Sequence, residues 1–152
     1  MGAVGAMFFG RKKRHIVRLL VVEDEPLVAF DNEYALSDAG FKVVATVARA
    51  DAAMAALKDG VDLVVSDVHL AEGSGLDVAR AAQAAGIPVL FVSGACRAVA
   101  HGLTAGCLAK PYAPRDLVAA IHAIDATLAG DKVRRMPNGF TLFASDERED
   151  AG

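Results

Sequence analysis

From Arg18 to about Ala129 the chain alternates short aliphatic and β-branched runs with Ala-rich stretches of helical length, and this leaves few folds open. Strands separated by helices cannot pair as hairpins. Each must cross over and return parallel, giving right-handed βαβ units and a sheet covered on both faces. The apolar runs place strands at about 18–22, 42–48, 62–66, 88–92 and 107–109. The first helix starts at Pro26, runs through Leu27, Val28, Phe30, Tyr34, Ala35 and Leu36 as its sheet-facing side, and stops at Gly40. A second covers 50–59 before Gly60. A third, opened by Glu72-Gly73-Ser74-Gly75, covers 76–85 before Gly86. Between Ser93 and Lys110 there is room for one short helix, about 96–105, interrupted by Gly102. The last begins near Pro114 with Leu117, Val118, Ile121, Ile124 and Leu128 on its buried stripe. The expected fold class is α/β, a doubly wound five-stranded parallel sheet.

Composition narrows the function classes. At 152 residues the chain is one domain by length. It is 54% hydrophobic but 6% aromatic with no Trp, so its core must be built from Ala, Val and Leu, which suits close helix-on-sheet packing. A formal net charge of -3 provides no basic footprint for direct nucleic-acid binding. The one basic run, Arg11-Lys12-Lys13-Arg14-His15, reads as a solvated arm. It follows the mildly apolar first residues instead of preceding them, the reverse of a secretory signal, and no segment approaches the roughly 20 apolar residues of a membrane span. A cytoplasmic protein is expected. Cys96 and Cys107 are too few for a disulfide framework, lack metal-site spacing and are read as unpaired thiols in a reducing compartment.

The chemistry-bearing residues fall where the strands end. Glu23-Asp24 follows Leu19-Leu20-Val21-Val22, Asp67 follows Leu63-Val64-Val65, Ser93-Gly94 follows Val89-Leu90-Phe91-Val92, and Lys110-Pro111 follows Cys107-Leu108-Ala109. Ligands of open parallel sheets bind outside the carboxyl ends of the strands, so these groups are delivered to one edge. Taken singly, an Asp there is a turn or helix cap, a Ser-Gly a turn, and a Lys a surface residue. Jointly they form a set of acids, one hydroxyl and one ammonium. Like carboxylates repel unless a cation sits among them, and Mg²⁺ fits a site with few protein carboxylates and room for phosphate oxygens. Such a set can stabilise a phosphoryl group while one carboxylate acts as nucleophile.

Four motifs, Val21-Val22-Glu23-Asp24-Glu25-Pro26, Val64-Val65-Ser66-Asp67-Val68-His69-Leu70, Phe91-Val92-Ser93-Gly94 and Leu108-Ala109-Lys110-Pro111-Tyr112, make the stretch from Arg18 to Ala129 resemble the receiver domain of two-component response regulators. The resemblance implies a flavodoxin-like (βα)5 fold in strand order 2-1-3-4-5. By position it implies Asp67 as phosphoacceptor, with Glu23 and Asp24 as the acidic pair. Ser93 becomes the switch hydroxyl and Lys110 the phosphate-facing lysine. The Mg²⁺ ligands become Glu23, Asp24, Asp67 and the backbone carbonyl of His69. The implied partners are a histidine kinase or histidine phosphotransfer protein and a downstream protein. The implied organisation is a flexible basic arm over 1–17, a receiver over 18–129, and a tail over 130–152. In that tail Pro137-Asn138-Gly139 can turn a hairpin or add an edge strand ahead of an acidic, disordered end. No output domain is expected after the last helix, so a stand-alone regulator signalling by protein contact is the expectation. A homodimer through Phe140-Thr141-Leu142-Phe143 stays open.

The chain also departs from the family. Where receivers carry Tyr or Phe three residues before the lysine, Cys107 stands here, and the interval from Ser93 to Lys110 is short by roughly one helical turn. Phe91-Val92-Ser93-Gly94 is similar to a Phe-Ala-Thr-Gly-aromatic motif in a subgroup of stand-alone regulators, with Ala95 in place of the aromatic. Three rival readings follow. A phosphatase-type enzyme would want a second acid where His69 stands. A flavin or nucleotide binder would want a Gly-rich loop after strand one. A degenerate receiver would bind partners without phosphorylation.

Overall fold

A computed structural model of the chain describes residues 15–96 and 101–143. The elements run β1 (Arg18–Val22), α1 (Pro26–Asp38), β2 (Lys42–Val47), α2 (Ala50–Ala56), β3 (Leu63–Asp67), α3 (Gly75–Ala84), β4 (Val89–Ser93), β5 (Gly106–Ala109), α4 (Pro114–Leu128) and β6 (Phe140–Leu142), with single 3₁₀ turns at Leu57–Asp59 and His101–Leu103. The sheet order is β2-β1-β3-β4-β5-β6; the first five strands pair parallel and β6 pairs antiparallel with β5. The expected order 2-1-3-4-5 is therefore present, extended by one edge strand. The tail adds that strand without a hairpin, since residues 131–137 are neither helix nor strand.

Alternation along each strand divides the core. Leu20, Val22, Val64, Phe91 and Cys107 face α2 and α3, while Leu19, Val21, Val65, Leu90 and Leu108 face α1 and α4. The central strands β3 and β4 are buried at every position, as expected of parallel strands covered on both faces. β6 can lie flush on β5 because Gly106 lacks a side chain. A Cβ there would stand 2.7 Å from the Phe140 ring and 2.8 Å from the Thr141 carbonyl oxygen.

Two helices correct their sequence expectations. In α1 the expected sheet-facing residues Leu27, Phe30 and Tyr34 are 80%, 67% and 67% exposed, whereas Leu36 is buried as expected and Asn32 is buried with it. Tyr112 Oη donates to Asn32 Oδ1 over 2.9 Å, and that partner lets an amide face inward. In α4, Leu117, Ile121 and Ile124 are fully buried as expected, but Leu128, the last residue of the helix, is 55% exposed. Of the expected helix at about 96–105, residues 97–100 lie outside the described residues, and the described part is the 3₁₀ turn His101–Leu103. The basic run up to Arg14 and the acidic end likewise lie outside them. Next to the basic run, Ile16 is buried, and His15 N–H donates to Asp125 Oδ1 at 3.2 Å.

The cysteines require a further correction. Cys96 and Cys107 are joined as a disulfide with Cα atoms 5.7 Å apart. Parallel pairing of β4 with β5 sets Cys107 opposite Phe91, and the chain after β4 turns back over that position.

Candidate functional site

Two strand ends deliver acids to one place. Val22 pairs with Ser66 across β1 and β3, so Glu23-Asp24 and Asp67 leave neighbouring strands at the same level. Carboxylate oxygens of Glu23, Asp24 and Asp67 lie within 4.8 Å of one another. Helix α3 approaches this edge closely, and only glycine fits at its first position: a Cβ on Gly75 would overlap the Asp67 carbonyl oxygen. Gly75 N–H donates to Val68 O at 2.8 Å, and Ser74 caps the helix by accepting from Leu76 N–H at 3.0 Å. The loop after the acid is thereby held.

Lys110 enters from β5 and closes the cluster. Its Nζ donates to Asp67 Oδ2 at 2.8 Å and lies 3.5 Å from Glu23 Oε1 and 3.8 Å from Glu25 Oε1. Its backbone N–H donates to Ser93 O at 2.9 Å, and the Lys110–Pro111 peptide is cis. Burial works against the ammonium charge, but the hydrogen bond to Asp67 and the charges of Glu23 and Asp67 outweigh it and hold the Lys110 pKa above its usual value. Burial raises the Glu23 carboxyl above the ordinary range, with Asp67 adding to the rise and Lys110 and the Glu25 N–H opposing it. The Tyr112 phenol is also raised, chiefly by burial.

The remaining sequence-derived candidates sit at the rim. Asp67 pairs with Val92, so Ser93 lies one residue farther along β4; its Oγ is turned to its own loop, accepting from Ala95 N–H at 3.0 Å. His69 is exposed, and its N–H donates to Asp67 Oδ1 at a long 3.4 Å. The fold thus gathers Glu23, Asp24, Asp67 and Lys110, places Ser93 beside them, and leaves the His69 ring outside. Sequence reasoning missed Glu25 as a neighbour of Lys110, although its place directly after the acidic pair was a usable signal. It also missed the Tyr112–Asn32 bond, which no local pattern announces.

Chemically, three carboxylates with oxygen donors alone fit a small hard cation such as Mg²⁺. The pull of burial on Glu23 is the counterpart observation, because a cation there would favour its charged form. An ammonium bound to one carboxylate leaves that residue's other oxygen for further contacts.

The family model for the response regulator receiver domain matches residues 19–122. Among curated proteins, a probable transcriptional regulatory protein, TcrX, of Mycobacterium tuberculosis is 34% identical over 137 residues, covering 86% of this chain and 57% of that protein. RssB, a swarming motility regulation protein of Serratia marcescens, is 31% identical, covering 75% and 55%. The chain thus spans little more than half the length of these relatives. Among solved structures, SdrG of Sphingomonas melonis is 30% identical with a TM-score of 0.62, covering 74% of this chain and 98% of that one. A response regulator receiver protein of Sinorhizobium medicae is 28% identical with a TM-score of 0.60, covering 72% and 94%.

Proposed function

The chain belongs to the receiver-domain family of response regulators, and from that premise we propose that it accepts a phosphoryl group on Asp67 from a histidine kinase or histidine phosphotransfer protein and passes the signal on by protein contact. The observation that carries this reading is the 2.8 Å contact of Lys110 Nζ with Asp67 Oδ2 inside the cluster of Glu23, Asp24 and Asp67. In the transfer an Asp67 carboxylate oxygen bonds to phosphorus as the donor's N–P bond breaks, and the electron pair stays on the donor imidazole. Lys110 then exchanges the carboxylate for a phosphoryl oxygen, and the Ser93 hydroxyl donates to another. Glu23, Asp24, Asp67 and the backbone carbonyl of His69 would hold Mg²⁺, which when bound supplies positive charge against the phosphoryl oxygens.

The donor is met on α1. Leu27, Phe30 and Tyr34 fall at helical spacing on one exposed stripe that begins next to Glu23-Asp24, and exposed large apolar side chains in a row mark a protein contact. A receiver of this kind works by population shift: phosphorylation biases two arrangements of the loops after β3 and β4, and a 1:99 to 99:1 reversal takes roughly 5 kcal/mol. Turnover of small substrates is not its task. We read the chain as a cytoplasmic stand-alone regulator, a receiver over 18–129 with an N-terminal basic arm over 1–17 and a tail over 130–152. The near-complete coverage of the Sphingomonas and Sinorhizobium structures supports this reading. One observation favours the second reading, a binding module that works without phosphorylation: Cys107 occupies the usual aromatic position.

Intact-mass measurement after incubation with acetyl phosphate and Mg²⁺ separates the two. The expected outcome is one base-labile phosphoryl group, abolished by Asp67→Asn and by chelation; no gain in wild type, or an undiminished gain in the variant, overturns the assignment.

A further inference from the structure

We propose that Cys96 and Cys107 form a reversible thiol–disulfide site whose oxidation state sets how freely Ser93 reaches the phosphoryl group on Asp67. The proposal rests on the reading of Asp67 as acceptor. Its grounds are placement, exposure and chemistry together. Cys107 is fully buried on β5, three residues before Lys110; Cys96 is half-buried, three residues after Ser93. Their bond therefore spans the two strands that present the hydroxyl and the ammonium to the acid cluster.

The turn between Ser93 and Cys96 is short and doubly tied. Ser93 Oγ accepts from Ala95 N–H at 3.0 Å, and Cys96 Sγ lies 3.8 Å from Ser93 O, the same carbonyl that accepts from Lys110 N–H at 2.9 Å. For Ser93 to bond a phosphoryl oxygen, this turn must shift. With Cys96 bonded to β5 its far end cannot follow, whereas a free Cys96 can. Where a ring would swing in a receiver with Tyr or Phe at this position, a covalent tether stands instead. A pair of cysteines, one half-buried and one fully buried, beside the turn that carries Ser93 matches the transient, sensing use of disulfides in reducing compartments.

Reduction proceeds by attack of an external thiolate on Sγ of Cys96, the less buried partner; the Cys96–Cys107 bond breaks, and Cys107 leaves as a thiolate and takes a proton. A second external thiolate attacks the reductant's sulfur in the mixed disulfide and releases Cys96, which is protonated in turn. The net change is two thiols of the reductant oxidised to one disulfide and two protein thiols formed. Oxidised glutathione runs the same exchange backwards.

The test uses the full chain, prepared oxidised with oxidised glutathione or reduced with dithiothreitol, its thiol state verified by alkylation and mass. Each form is phosphorylated with acetyl phosphate and Mg²⁺, the donor is removed, and both the phosphoryl lifetime and amide exchange over 93–96 are followed. Reduction should change the lifetime by about two- to tenfold, the worth of one hydroxyl hydrogen bond, and should speed exchange in the Ser93 turn. Cys96→Ser, which leaves the buried Cys107 in place, should behave as the reduced form and ignore dithiothreitol. Identical lifetimes and exchange in the two forms overturn the proposal, as does a dithiothreitol response that persists in Cys96→Ser. If both forms gain a phosphoryl group and differ in nothing else, only the redox coupling falls. If neither gains one, the acceptor assignment falls and takes the coupling with it.

Discussion

The two halves of the site are built differently. On the acidic half, Glu23, Asp24, Asp67 and Lys110 converge from three strands with an ion pair at 2.8 Å, and each side chain has the type the resemblance leads one to expect. On the switch half, around Ser93, the aromatic position is a buried cysteine bonded to the loop, Phe143 packs in the same core cluster as Cys107, and the edge strand β6 pairs with β5. On the proposed reading of Asp67 as acceptor, the first half is constrained by chemistry, because a phosphoryl group needs opposite charge and a nucleophile in fixed places. The second only has to move in response, and mobility can be coupled through an aromatic ring, a covalent bond or an added strand. The contrast teaches that a site can share its family's charged residues and still differ in the loop beside them.

The contrast can be broken most sharply at Lys110. Lys110→Met leaves Glu23 and Asp67 without their ammonium, and phosphorylation from acetyl phosphate should slow by about 10²-fold or more, the scale of losing one preorganised charge-stabilising group. A rate within twofold of wild type would remove Lys110 from the reaction. On the switch half the corresponding change is reduction of the disulfide. Dithiothreitol should lower the unfolding free energy by about 3 kcal/mol, the loop-closure scale for a bridge spanning 11 positions, as read from urea midpoints. An unchanged midpoint would mean that the tether does not constrain the unfolded chain.

A smaller effect is expected at α1. Phe30→Ala removes an exposed ring, so stability should stay within about 0.5 kcal/mol. Transfer from a cognate phosphohistidine donor should weaken by about 1 to 2 kcal/mol, while phosphorylation by acetyl phosphate is untouched. Equal losses with both donors would refute a docking role. The smallest effect is in pH. Glu23 has its folded pKa raised above 4.5, so the folded state holds its proton to higher pH than the unfolded chain does. Without Mg²⁺, the Glu23 contribution to stability should be full below about 4.5 and should fall as pH rises through the raised value. Urea midpoints with chelator should show this decline, and Glu23→Gln or added Mg²⁺ should flatten it; a rise over the same window would reverse the sign of the argument.

Much of this was legible before any coordinates. The alternation of apolar runs and helices specified the parallel sheet, and in such a sheet all strand carboxyl ends share an edge, so Glu23, Asp24, Asp67, Ser93 and Lys110 could be assembled on paper. The inward Asn32 and outward Leu27, Phe30 and Tyr34 of α1 could not. A 3.6-residue period says which residues share a face but not which face meets the sheet, and here the buried side carries Leu36 together with Asn32, whose amide oxygen accepts from Tyr112, far along the chain.

What the order of residues determined by itself was the parallel α/β class and the cast of the acidic site, because both follow from periodicity and from chain-local ends of strands, whereas the strand order 2-1-3-4-5 came from the family resemblance. Tertiary structure alone decided that two cysteines eleven positions apart touch, that β6 closes on Gly106, and that Leu27, Phe30 and Tyr34 of α1 face solvent. Each of these depends on which strand or helix becomes a neighbour. That is set by packing the whole core at once, and no local window of sequence contains it.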